Sequence, residues 1–152
     1  MSDIQITGVQ LLDASGAVPA VFETARPIIV RLQYQTSRAV ETPHFAVDVY
    51  RADGQYCAGI NTRMDRRSFG TLEGRGHVDL VVDSRGLRAG GYVLSVGILD
   101  AYGGHPLDVH HRAYHFSIGA PASERGLDRL GRDWPHSERA ADRALIKKEL
   151  VR

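Results

Sequence analysis

Apolar and polar positions alternate with a period of two in run after run of this 152-residue chain. Ile28, Val30, Leu32 and Tyr34 alternate with Ile29, Arg31, Gln33 and Gln35. Phe45, Val47 and Val49 alternate with His44, Ala46, Asp48 and Tyr50, and Val78, Leu80 and Val82 with His77, Asp79, Val81 and Asp83. The same holds for Tyr92, Leu94, Val96 and Ile98, and for Tyr114, Phe116 and Ile118. Successive side chains of a strand point to opposite faces, so each run predicts a strand with one buried face. An opening strand near residues 3–12 loses its apolar phase at Gly8, which predicts a bulge. Ala52-Asp53-Gly54 reads as a hairpin turn, because Gly supplies the positive φ such turns need. Before Ala120 no helical period of useful length occurs. The expectation is an all-β domain of about seven short strands, a sandwich rather than a barrel.

One detail narrows the sandwich to an immunoglobulin-like antiparallel type. In Leu87-Arg88-Ala89-Gly90-Gly91-Tyr92, a Tyr opens a late strand just after a Gly-rich connection. That is the pattern of a tyrosine corner, whose hydroxyl bonds back to the preceding backbone. Immunoglobulin-like topology puts the runs near 44–51, 55–63, 90–99 and 109–118 in one sheet. Those near 3–12, 27–36 and 75–83 form the other. At Gly119-Ala120-Pro121-Ala122-Ser123 the composition changes, which divides the chain into a sandwich over 1–119 and an extension over 120–152. Within the extension, Ser137 to Leu150 predicts a short peripheral helix over 137–150, with Ser137 as N-cap and Lys147 and Lys148 near its C-terminal end.

Composition changes this picture little. The chain is 43% hydrophobic and 24% charged, ordinary globular values that exclude wholesale disorder. A net charge of +1 argues against a nucleic-acid partner. The apolar runs are too short to cross a membrane, and Met1-Ser2-Asp3-Ile4 lacks the features of a secretory signal. A single cysteine, Cys57, suits a reducing compartment.

Catalytic signatures are missing: the chain has no P-loop, no Gly-x-Ser-x-Gly and no His-Glu-x-x-His. Cys57 has no activating base placed beside it by the sequence. His111 and His115 share a strand face but lie roughly 13 Å apart at ~3.3 Å per residue, too far to bind one metal, and His110 points to the other face. Asp48 and Asp79 fall on different sheets, which argues against a paired-carboxylate hydrolase. No enzyme, metal or cofactor is therefore expected.

Alternation does single out one surface. With the apolar phase inward, the outer face of the first sheet presents His44, Ala46, Asp48 and Tyr50, then Gly59, Asn61 and Arg63, then Ser95 and Gly97. His111, Ala113, His115 and Ser117 complete it. Small residues make a shallow floor, bordered by amide, guanidinium, imidazole, carboxylate and phenol groups. Sugars, with hydroxyls that donate and accept and a weakly apolar ring face, suit such a floor. The candidate carbohydrate-binding residues on this face are His44, Asp48, Tyr50, Asn61, Arg63, Ser95, His111 and His115, with Tyr50 as a stacking plate.

A set of segments carries a family likeness. Phe45-Ala46-Val47-Asp48-Val49-Tyr50-Arg51-Ala52-Asp53-Gly54 is followed by Gly59-Ile60-Asn61-Thr62 and Leu72-Glu73-Gly74-Arg75-Gly76. Gly90-Gly91-Tyr92-Val93-Leu94-Ser95-Val96-Gly97-Ile98-Leu99-Asp100 comes next, then Tyr114-His115-Phe116-Ser117-Ile118, and Gly126-Leu127 and Trp134 complete the set. In this order and spacing, over roughly residues 3–134, the chain resembles the C-terminal domain of the ATPase subunit in Wzt-type ABC exporters of O-antigen polysaccharide. The resemblance implies a cytoplasmic, non-catalytic domain that binds a polysaccharide for export, often at its modified non-reducing end. It also implies a transporter ATPase and permease as partners and a homodimer, and it places Gly59-Ile60-Asn61-Thr62 beside the sugar surface, which adds Thr62 to the candidate carbohydrate-binding residues. Two features depart from the family's expected pattern: the sequence lacks the ATPase domain that normally precedes this module, and the helix from Ser137 lies beyond what the family is expected to have. They leave open an excised fragment, a module acting alone, or a domain of another polysaccharide-handling protein. The rival expectation is a protein–protein interaction module of a polysaccharide-biosynthesis enzyme or complex.

Overall fold

The structure is a computed structural model and describes residues 2–119. Eight strands follow in order: β1 (Ile4–Leu12), β2 (Phe22–Glu23), β3 (Ile28–Thr36), β4 (His44–Arg51), β5 (Tyr56–Asn61), β6 (Arg75–Val82), β7 (Gly90–Leu99) and β8 (Pro106–Gly119). They make a three-stranded sheet, β1-β3-β6, and a five-stranded sheet, β2-β8-β7-β4-β5. All pairings are antiparallel except that of β2 with β8. The partition into two sheets matches the sequence expectation, and β2 is an addition to it. The extension over 120–152 and its expected helix lie outside the described residues.

The apolar phase of each strand builds the core. Val30, Leu32, Phe45, Val47, Val49, Val78, Leu80 and Ile98 are fully buried between the sheets. Each such side chain contributes about 1.5–3 kcal/mol relative to exposure, which fixes the strand phases strongly. Tyr34 and Phe45 meet across the layers with ring centroids 6.3 Å apart, and Phe69 packs on Phe45 from the β5–β6 connection. Leu72, paired with Val40 through two backbone hydrogen bonds, closes one side.

Local chemistry sets the turns. Gly54 adopts φ +99° while its N–H donates to the Arg51 carbonyl, closing the β4–β5 hairpin. Between Ile6 and Gly8 the register of β1 slips against β3, at the expected bulge. A Cβ on Gly8 would stand 2.4 Å from Gln33 Oε1, so glycine keeps this bulge clear of its neighbour. The tyrosine corner is present: Tyr92 Oη donates to the Arg88 carbonyl at 2.6 Å. Tyr92 also stacks on Phe116 of β8, anchoring the start of β7.

Candidate functional site

The outer face of the five-stranded sheet is laid out by register. Asn61, Ala46 and Gly97 form one row across β5, β4 and β7, and Gly59, Asp48 and Ser95 form the next. Tyr56, Tyr50 and Val93 make a third row that continues to His115. Rows on one face are spaced by two residues, so the small side chains Gly59, Ser95, Ala46 and Gly97 pave a floor in the middle.

Two bulges complete the face with residues that strict alternation assigns elsewhere. In β5 the register slips between Val49 and Tyr50 of its partner, bringing Tyr56 rather than Cys57 opposite Tyr50. The two rings meet edge to face at 5.6 Å. In β8, Tyr114 pairs with Leu94 and His110 with Val96, so four steps along β8 span two along β7. At this bulge Arg112 adopts φ +45°, its N–H donates to Ser95 Oγ at 2.8 Å, and its guanidinium lies 4.4 Å from the Tyr50 ring centroid. Ser95 thus supplies the acceptor that the interrupted ladder lacks. One side of the expected stacking plate is therefore covered by a cation, and the more exposed aromatic surface is Tyr56, at 55%.

Asp48 lies at the centre, half-buried, with no hydrogen-bond or ion-pair partner among the described residues. A Cβ on Gly59 would sit 2.7 Å from Asp48 Oδ1 and 2.6 Å from Tyr56 Oη, so both groups lean over that glycine. Burial holds the Asp48 carboxyl above its ordinary pKa. The Tyr56 phenol is raised by burial, then by the nearby Asp48 and Tyr50.

At the other end of β4 the expected residues divide by role. Thr62 is 2% exposed, so it is corrected here from a ligand contact to an internal strut. Its Oγ accepts the Phe45 N–H at 2.9 Å and is hydrogen-bonded to His44 Nδ1 at 3.0 Å. His44 is itself buried, and its pKa is lowered by burial and by the Arg63 charge, against an opposing pull from Asp100. Asn61 Oδ1 accepts the N–H groups of Arg63 and Met64, capping the turn that ends β5. Arg63 lies beyond that strand and packs over Gly103, whose positive φ and missing side chain leave room for it. His111 and His115 are exposed on β8, whereas His110 faces inward and bonds to Tyr114 Oη at 2.6 Å. The face therefore joins Asp48, Tyr50, Tyr56, Ser95, Arg112 and His115, with His44 and Thr62 beneath its far end.

Comparison with known proteins follows this architecture. The chain superposes on a crystal structure of the C-terminal domain of Wzt with a TM-score of 0.71 at 15% identity, covering 80% of this chain and 76% of that one. A β-glucuronidase of glycoside hydrolase family 2 shares the fold at a TM-score of 0.53 and 15% identity, over 79% of this chain but 13% of the enzyme. No curated protein sequence matches the chain significantly. The family model for the Wzt C-terminal domain matches residues 1–129, from β1 through the end of β8 and past it. With the sandwich, the order of its segments and this match in agreement, the chain belongs to the Wzt C-terminal domain family.

Proposed function

We propose that the outer face of the five-stranded sheet binds a polysaccharide without catalysis and selects it for an ABC exporter. Family membership supports the coarser role, as part of a polysaccharide-export transporter. The observation that carries the finer one is Asp48. A half-buried carboxylate with no partner costs stability, and sheet faces normally avoid it. Ligand hydroxyls donating to Asp48 offset that cost, while Tyr56 offers a ring face for the apolar side of a sugar. Asn61, Arg63, His111 and His115 border the floor, Ser95 holds Arg112 in place, and Thr62 holds His44.

Single-site affinity is weak on this reading, because sugar hydroxyls exchange water bonds for protein bonds at ~0.5–1.5 kcal/mol net each. A homodimer on a repeating polymer adds effective concentration. The site works on the cytoplasmic side, beside the transporter's ATPase and permease. Among the described residues no helix is long and apolar enough to cross a membrane.

Titration of the isotopically labelled chain with surface polysaccharide from the producing cell tests the reading. Shifts clustering on Asp48, Gly59, Ser95 and Ala113, and weakened by Tyr56→Ala, are expected. Silence on this face overturns the reading. Loss of a protein complex on truncation after Gly119, with no response to polymer, would put the interaction-module alternative in its place.

A further inference from the structure

On the same face an acceptor and a donor stand unpaired on either side of Ser95. Asp48 is Ser95's partner on β4, and Arg112 bonds to Ser95 from β8. Yet no ion pair joins the two, and among the described residues no carboxylate pairs with the Arg112 guanidinium. Here Arg112 is drawn onto the Tyr50 ring instead, while the carboxylate leans the other way, over Gly59 toward Tyr56 Oη.

We propose that this separated pair selects an uncharged sugar residue carrying two adjacent free hydroxyls, seated over Gly59 with its ring face toward Tyr56. The inference rests on the reading of the face as a glycan site and deepens it. An ionised carboxylate only accepts hydrogen bonds and a guanidinium only donates them. A hydroxyl does both, so a neutral diol donates to the two Asp48 oxygens and accepts from Arg112 with no charge left over. A uronate or phosphate would satisfy Arg112 but bring like charge toward Asp48. An ammonium would satisfy Asp48 but repel Arg112. Gly59 is part of the selection, because any side chain there would displace both Asp48 Oδ1 and Tyr56 Oη.

The test titrates the full chain with dextran and unphosphorylated linear α-1,6-mannan (neutral, diols free), O-methylated dextran (neutral, donors removed), polygalacturonate and chitosan. Dextran or mannan should shift resonances at Asp48, Gly59 and Ser95. O-methylation of the polymer, Asp48→Asn and Gly59→Ala should each weaken binding about tenfold or more, the size expected for hydrogen bonds to a charged group. Retained core resonances verify that both variants fold. Tighter binding of polygalacturonate or chitosan than of the neutral polymers, or neutral binding untouched by Asp48→Asn and Gly59→Ala, overturns the diol assignment and leaves the glycan site standing. No shift on this face with any of the polymers removes the glycan reading and the inference with it.

Discussion

Each sheet presents one carboxylate at the middle of its outer face, and the two are solved in opposite ways. On the three-stranded sheet Asp79 faces Arg31 across the β3–β6 register, and the pair makes two parallel hydrogen bonds of 2.8 Å each. On the five-stranded sheet Asp48 faces Gly59 on one side and Ser95 on the other, and neither donates to it. Cross-strand partners decide whether a charge on a sheet is spent within the fold or left for something outside it. Alternation places both residues equally well. Only the identity of the residue opposite separates a structural carboxylate from a candidate binding group.

The largest effect expected from breaking this contrast is at Asp79. Asp79→Ala removes both hydrogen bonds that Asp79 accepts from the half-buried Arg31 guanidinium and should lower stability by roughly 1–3 kcal/mol in urea denaturation, with glycan affinity unchanged. A variant as stable as the parent would show that the paired carboxylate contributes nothing. Next comes Ser95→Ala, which leaves the Arg112 N–H without its acceptor. About 1 kcal/mol should be lost, and polymer binding should fall because Arg112 is no longer held over Tyr50. Equal affinity in the two proteins would mean that the bulge does not position Arg112.

The smallest effects are pH-dependent and opposite in sign. The Asp48 pKa is raised in the fold, so its charged form is penalised at neutral pH and relieved as pH falls through the folded value. Asp48→Asn should therefore raise the denaturation midpoint at pH 7, and the gain should vanish by the unfolded value near 3.8. The His44 pKa is lowered instead, so the unfolded chain takes up its proton first as pH drops below 6.5. The parent should then lose stability relative to His44→Gln across that range. Parallel pH curves for parent and variant would contradict either assignment.

How far the sequence reaches follows from the same geometry. Strand phases, the Gly8 bulge, the Gly54 turn and the Tyr92 corner depend on residues near one another in the chain, and all were legible there. The partition into two sheets followed from the family of topologies that such strands adopt. Strand β2 was not legible, since two residues, Phe22 and Glu23, carry no period. Tyr56 and Arg112 were missed for one reason: each sits at a bulge, where counting by twos gives the wrong face. For Arg112 the signal was faint but present, in the consecutive polar residues His110, His111 and Arg112 within an otherwise alternating strand. Thr62 was placed at the sugar surface by the family motif Gly59-Ile60-Asn61-Thr62, and nothing local in the sequence reveals that the Phe45 N–H needs an acceptor there.

The detour in β8 has a consequence for how such a domain changes. Because the extra length is an even number of residues, Asp108 and His110 before it and Tyr114 and Phe116 after it keep the same inward orientation. Positions 111 to 113 are thereby uncoupled from the interior. Their side chains can be exchanged for others, retuning what the surface recognises, while the hydrophobic layers on which the sandwich depends register no difference.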